Sequence, residues 1–227
     1  MGTWYDALSL KRSFMFKPVR WNTFLRNFFR IELGLGLFGV AIAMMIRANL
    51  GTSAWAVLEV ALSKIFNITP GTTMVLVGFV VLAVALAARE QIGWGTLANI
   101  LSIGPWEDLA LGIIPPIDGN LPLQVAMLLL AIGMMGLGSA IYIGVDAGAG
   151  PRDTLMLAIK RRAGWSIRAA RGSIEVTVVT IGWLLGGPVG IGTLVFALLI
   201  GPAVQTGFKL LKIESHKPNE AQAVFED

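Results

Sequence analysis

Hydrophobic positions in this chain come in long runs, not in the alternation of a half-buried strand or the stripe of a soluble amphipathic helix. Six runs have the length that crosses a hydrocarbon core, about 20 residues for about 30 Å. They cover 31–49, 71–89, 94–114, 122–146, 169–186 and 192–211. Two shorter helical stretches, 54–66 and 152–163, reach only about 20 Å at about 1.5 Å per residue. They are predicted to be half-helices, each following a chain reversal. The predicted fold class is all-α, a polytopic membrane helical bundle. Polar segments frame it: a basic arm over 1–30, a loop over 115–121 and a polar tail over 213–227. In the arm, Trp21, Phe24, Leu25, Phe28 and Phe29 recur at helical spacing with Arg20, Arg26, Asn27 and Arg30 between them. That is the pattern of a helix lying in a membrane interface.

The runs are not independent. Displaced by 97 positions, segment 36–105 falls on 133–202 without a gap. Gly36, Gly39 and Gly51 meet Gly133, Gly136 and Gly148. Gly93-Trp94-Gly95-Thr96-Leu97 meets Gly190-Ile191-Gly192-Thr193-Leu194, and Ile103-Gly104-Pro105 meets Ile200-Gly201-Pro202. Leu and Ile match by chance in any apolar sequence; an ordered series of Gly, Thr and Pro does not. The expectation is a duplication, with repeat 1 over 31–114 and repeat 2 over 122–212. Three spans and a half-helix per repeat make the second copy inverted, as in many secondary transporters. Eight spans with parallel repeats are the alternative, if both short helices cross.

Composition sharpens this picture. Hydrophobic residues make up 55% of the 227 positions and charged residues only 14%, against about 25% charged in a soluble domain. The net charge of +4 sits between apolar runs and forms no stripe, so it reads as an orientation signal and not as a nucleic-acid surface. Lys11, Arg12, Lys17, Arg20, Arg26 and Arg30 hold the N-terminus inside. Lys160, Arg161, Arg162, Arg168 and Arg171 mark a second inner loop, and Lys209, Lys212 and Lys217 an inner C-terminus. The 115–121 loop has no Lys or Arg and is expected outside. With no Cys and one His, His216 in the polar tail, thiol chemistry and Cys-ligated metals are excluded. No Ser–His or Cys–His pair, zinc spacing or phosphate loop appears. Neither an enzyme nor a cofactor is expected.

Three groups of residues can carry chemistry. The first is the turn Gly148-Ala149-Gly150-Pro151-Arg152-Asp153. Two glycines allow unusual backbone shapes, Pro151 suits a first helical turn, and the free N–H groups of that turn with the Arg152 fork suit an anion. The same residues also suit a plain structural reversal closed by an Arg152–Asp153 contact. The second group is the acids within apolar sequence. Glu175 can pair with Arg171 at i,i+4, Glu59 follows Trp55 by one turn, Asp108 is a coupling candidate, and Glu107 is expected near the interface. The third is the pair of breaks Gly104-Pro105 and Gly201-Pro202, read as kinks, with coordination of a cation by the freed carbonyls of Leu101 and Leu198 as the alternative. Thr96 and Thr193 are read as helix caps. Gly34, Gly36, Gly39, Gly133, Gly136 and Gly138 are read as close-packing faces.

Gly150-Pro151-Arg152-Asp153 through Met156, Ile174-Glu175-Val176, Gly182 through Gly187, Gly190-Ile191-Gly192-Thr193 and Ile200-Gly201-Pro202 give the chain a further property. Over about 30–212 it resembles the YczE/YyaS/YitT-type family of bacterial integral membrane proteins. The resemblance implies a bacterial plasma-membrane protein of a family largely without an assigned activity. Where that family usually has Pro-Trp-Asp in its first repeat, this chain has Ala54-Trp55-Ala56. The resemblance therefore points to the second repeat for chemistry.

The resulting expectation is a small secondary transporter or permease for a small polar solute, anionic or zwitterionic in the narrower reading. Gly148, Gly150, Arg152 and Asp153 would hold the solute, and Glu175 or Asp108 would couple. The alternative is a non-transporting accessory or scaffold protein of the membrane. Expected partners are the lipid bilayer and the solute, with no nucleic acid; the sequence does not set an oligomeric state.

Overall fold

The structure is a computed structural model that describes residues 17, 19–90 and 92–213. Lys11, Arg12, His216, Lys217 and all of the polar tail beyond Ile213 lie outside the described residues. A short turn over Trp21–Thr23 leads into eight helices: α1 Phe24–Ala48, α2 Ala54–Phe66, α3 Pro70–Ala87, α4 Trp94–Ile113, α5 Leu121–Ile143, α6 Pro151–Ala163, α7 Ile167–Leu184 and α8 Ile191–Leu210. There is no strand among the described residues. The fold is a helical membrane bundle.

Local chemistry explains the boundaries. α3 and α5 open with a side-chain cap and a Pro in the first turn: Thr72 N–H donates to Thr69 Oγ1 at 3.1 Å and Leu123 N–H to Asn120 Oδ1 at 3.2 Å. These are the residue types that satisfy the free N–H groups of a helix start. Ser166 caps α7 in the same way through Ala169 N–H. α1, α2 and α6 end on left-handed residues, Asn49, Asn67 and Gly164, where Gly and Asn carry the least steric cost.

Two expected boundaries move. The arm and first span are not separate elements, because α1 runs unbroken through the boundary at residue 30. The run expected to reach 146 ends as helix at Ile143, after which Asp146 and Gly148 take positive φ. Six helices have 18 residues or more, and α2 and α6 have 13 each. By length and composition together, α1 with its preceding turn, α3, α5 and α8 can cross a membrane. α4 and α7 match α3 and α8 in length but carry charge. Pro105 and Pro202 lie inside α4 and α8, which continue past them.

The bounds of α2, α3 and α4 displaced by 97 residues are those of α6, α7 and α8. Backbone shape follows the same offset. Asn49, Gly51, Asn67 and Arg89 have positive φ, and so do Asp146, Gly148, Gly164 and Gly186. Contacts between the halves are reciprocal. Gly95 N–H donates to the Ala147 carbonyl at 3.0 Å, and Gly192 N–H donates to the Leu50 carbonyl at 2.7 Å. Each is the other seen from the opposite half, the pattern of a contact across a two-fold axis.

α1 and α5 cross antiparallel at the centre. A Cβ on Gly34 would lie 2.7 Å from the Gly138 carbonyl oxygen, and one on Gly138 2.6 Å from that of Gly34. Only glycine permits this approach. Gly39 seats α4 and Gly136 seats α8, while Gly133 touches nothing. Ile31, Leu35, Ile42 and Met45 meet Leu128, Ile132 and Met135 in the main core. The short helices exchange partners: α2 packs on α7 of the second half and α6 on α3 of the first.

Candidate functional site

The N-terminal turns of the two short helices meet in the interior. The guanidinium of Arg152, at the start of α6, lies 4.8 Å from the centre of the Trp55 ring at the start of α2. Its Nη2 donates to Glu59 Oε1 at 2.5 Å. Glu59 is 1% exposed and Arg152 25%, so the pair is buried on the acid side and open on the cation side. Such a pair costs a large desolvation penalty that only close geometry offsets. The second oxygen of Glu59 has no hydrogen-bond partner among the described residues.

A cavity of about 140 Å³ opens beside this contact. At about 30 Å³ per water, that is room for a few waters or one small solute. Charge of both signs reaches it, from Arg152, Arg171, Asp153 and Glu175, with Tyr142 and Asn99 adding neutral polar groups. Arg171 Nε donates to Glu175 Oε1 at 2.9 Å, the expected i,i+4 pair, which is about one third exposed. Asp153 lies within electrostatic reach of Arg171, Arg152 and Glu175. The rest of the wall is apolar, with Phe38, Ile103 and Met135 from the central helices and Phe196 and Ile200 from α8. Few polar groups in a mostly apolar wall is the usual makeup of a small-molecule pocket.

The expected site residues separate here. Gly150, Arg152, Asp153 and Glu175 line the cavity. Gly148 does not line it: with φ of 127° it packs on the backbone of Gly93 and on Thr96, and so positions α6 against the start of α4. Asp108 does not line it either. Its carboxylate accepts from Gly71 N–H at 2.9 Å and from the Thr69 hydroxyl at 2.5 Å, tying α4 to the start of α3. Glu107, expected near the interface, is fully buried. Arg152 pairs with Glu59 and not with its neighbour Asp153. Thr96 and Thr193 each accept from the glycine N–H that opens their helix at 3.3 Å, and Thr96 also donates to the Ala149 carbonyl at 2.5 Å.

Sequence reasoning passed over Glu59 as a partner, and Tyr142 and Asn99 altogether. One signal was available: Trp55 and Arg152 occupy the same position in the two halves. Glu59 follows Trp55 by one turn of α2, on the side of that helix which meets Arg152.

Comparison with known proteins places the chain in a family. Residues 25–209 match a family of unknown function, DUF6198. An uncharacterized protein of Haemophilus influenzae is 32% identical over 200 residues, covering 88% of this chain and 91% of that protein. The uncharacterized membrane protein YczE of Bacillus subtilis is 31% identical over 165 residues, 72% of this chain and 76% of its own. The uncharacterized protein YyaS of the same organism is 28% identical over 173 residues, 74% and 86% of the two chains. No solved structure matches. With its helical membrane bundle and a family match over residues 25–209, the chain belongs to the DUF6198 family of unknown function and is similar to the uncharacterized membrane protein YczE.

Proposed function

We propose that this protein is a secondary transporter or permease of the cell membrane, moving one small zwitterionic or anionic solute through the cavity beside Arg152. The observation that carries the reading is the cavity itself, at the meeting of two helix starts and lined by charges of both signs. Charged groups at such depth are costly and mark pathways more often than they mark packing. The Arg152 fork would take a carboxylate on its open side, while Asp153 and Glu175 would take an amine. The reciprocal contacts between halves support an inverted duplication, whose axis passes near Trp55 and Arg152.

The proposed orientation puts both termini and the 160–171 loop in the cytoplasm. Lys17, Arg89, Arg161, Arg162 and Lys212 gather at the end of the bundle where α4 starts and α5 ends, and the loop around Asp118 lies at the other. Basic residues concentrate on the cytoplasmic side. Labelling with an impermeant thiol reagent checks this, since the chain has no cysteine. Gly119→Cys should react from outside and Arg162→Cys should not; the reverse result overturns the orientation.

The transport reading is tested by thermal stabilisation of purified protein with small zwitterions and organic anions, then by flux in vesicles. A stabilising solute should bind at least about tenfold more weakly to Arg152→Lys, which keeps the charge but loses the planar fork. One observation favours the accessory reading: Arg152 and Arg171 each already have an acid partner within the chain, Glu59 and Glu175. In that case Arg152→Ala should lower thermal stability, no solute should restore it, and no flux should appear.

A further inference from the structure

The walls of the cavity are not shared equally. Ser53 and Gly150, Trp55 and Arg152, Asn99 and Phe196 are pairs of positions 97 apart, and both members of each line it. Ser139, Tyr142, Arg171 and Val204 also line it, but their counterparts Ile42, Met45, Met74 and Glu107 are buried and contribute no wall. The cavity thus extends from the axis towards α7 and α8, and the equivalent space towards α3 and α4 is closed.

Glu107 lies in that closed space. It is 0% exposed, and neither carboxyl oxygen has a hydrogen-bond partner among the described residues. From α2 it faces Glu59, from its own helix Asp108, and from α6 Arg152, whose guanidinium is already engaged by Glu59. α1 supplies Arg47, which donates to the Leu111 carbonyl, and Glu32, which accepts from Ser102. α3 carries no ionisable residue. Among the described residues no cation is paired with the Glu107 carboxyl: Arg152 is engaged by Glu59, and Arg47 is held at the Leu111 carbonyl. A buried carboxyl with no cation and no hydrogen-bond donor against it is accommodated as its neutral, protonated form.

Resting on the transport reading, we propose that Glu107 is a proton-binding site. It holds its proton in this conformation and releases it in a second one, in which α3 parts from α4 and opens the space equivalent to the present cavity. The step is a simple ionisation: the O–H bond of the carboxyl breaks, the proton passes to water, and the carboxylate is left hydrated. Charge is costly where Glu107 now sits and tolerable once water reaches it, so ionisation and opening are linked.

The experiment needs no solute. Met74→Cys places a thiol on α3 in the closed space, and Asn120→Cys, on an exposed loop, reports the intrinsic pH dependence of thiol labelling. Relative to Asn120→Cys, labelling of Met74→Cys by an impermeant reagent should rise about tenfold from pH 5 to pH 8. Glu107→Gln, a permanent mimic of the protonated form, should abolish the rise, and Glu107→Asp should keep it. In infrared spectra the carbonyl band of a protonated carboxyl should vanish in Glu107→Gln and persist in Asp108→Asn. If Met74→Cys labels at every pH and Glu107→Gln changes nothing, the proton site falls and the transport reading stands. If Met74→Cys never labels while the protein remains folded, both fall.

Discussion

The helix pair α3–α4 and its counterpart α7–α8 have the same lengths, 18 and 20 residues, and sit at the same offset. They differ in how they meet. α3 lies directly on α4, with Gly71 against the backbone of Gly104 and Gly78 against Ile100. α7 and α8 scarcely touch. A Cβ on Gly201 would meet nothing within 4 Å, and Leu198 and Trp183 are 75% and 62% exposed. The positions through which the first pair closes, Gly71 and Gly78, are Arg168 and Glu175 in the second. Two helix backbones can touch only where side chains are absent, and long charged side chains such as Arg168 and Glu175 cannot enter a dry seam cheaply. Two residue differences thus explain why one half is shut and the other holds a cavity.

This comparison can be broken most severely at the link between the halves. Glu59→Ala leaves Arg152 facing a buried void and should cost about 3 kcal/mol, read as a large drop in the thermal unfolding midpoint in detergent. Glu175→Ala removes a pair that is one third exposed and should cost only about 0.3–0.5 kcal/mol. Equal losses in the two variants would deny that the pairs differ in burial.

Next in size is the glycine seam. Gly104→Ala drives a methyl into the Gly71 carbonyl and should destabilise by about 1–3 kcal/mol, as overpacking does. Gly201→Ala meets open space and should be neutral or stabilising by up to about 1 kcal/mol, from helix propensity alone. If the two alanines behave alike, the seam is not what holds α3 to α4.

Asp108→Ala removes the acceptor for Gly71 N–H and the Thr69 hydroxyl. A loss of about 1 kcal/mol is expected, the usual value of a helix-start contact, with solute binding unchanged because Asp108 lies off the cavity. Loss of binding at unchanged stability would return Asp108 to the site. The smallest effect is expected at Thr193→Ala, which deletes one bond of 3.3 Å and should cost about 0.5 kcal/mol. Thr96→Ala should cost more, because the Thr96 hydroxyl also holds the Ala149 carbonyl ahead of α6.

Much of the fold was legible because it is written locally. Apolar runs, capping residues and glycine positions act within a turn or two, so the eight helices could be read from the chain alone. The Arg171–Glu175 pair was legible for the same reason: four residues along a helix fix which side chains meet. The site was only partly legible. Gly150, Arg152, Asp153 and Glu175 reach one cavity; Asp108, the alternative to Glu175 as coupling group, holds a helix start off that cavity, and Gly148 shapes the turn without lining it.

By itself the sequence determined that this is a helical membrane protein, and that a glycine-rich turn precedes Arg152. Only the tertiary structure decided that Arg152 meets Glu59, 93 positions away, that Glu107 is buried with no hydrogen-bond partner among the described residues, and that one helix pair is closed while the other stands apart. The reason is the range of the interactions. Helix formation and capping depend on neighbours in the chain. Pairing and burial of a charge depend on which helix arrives opposite, which is set by the packing of α1 against α5 and by the exchange of α2 and α6 between the halves.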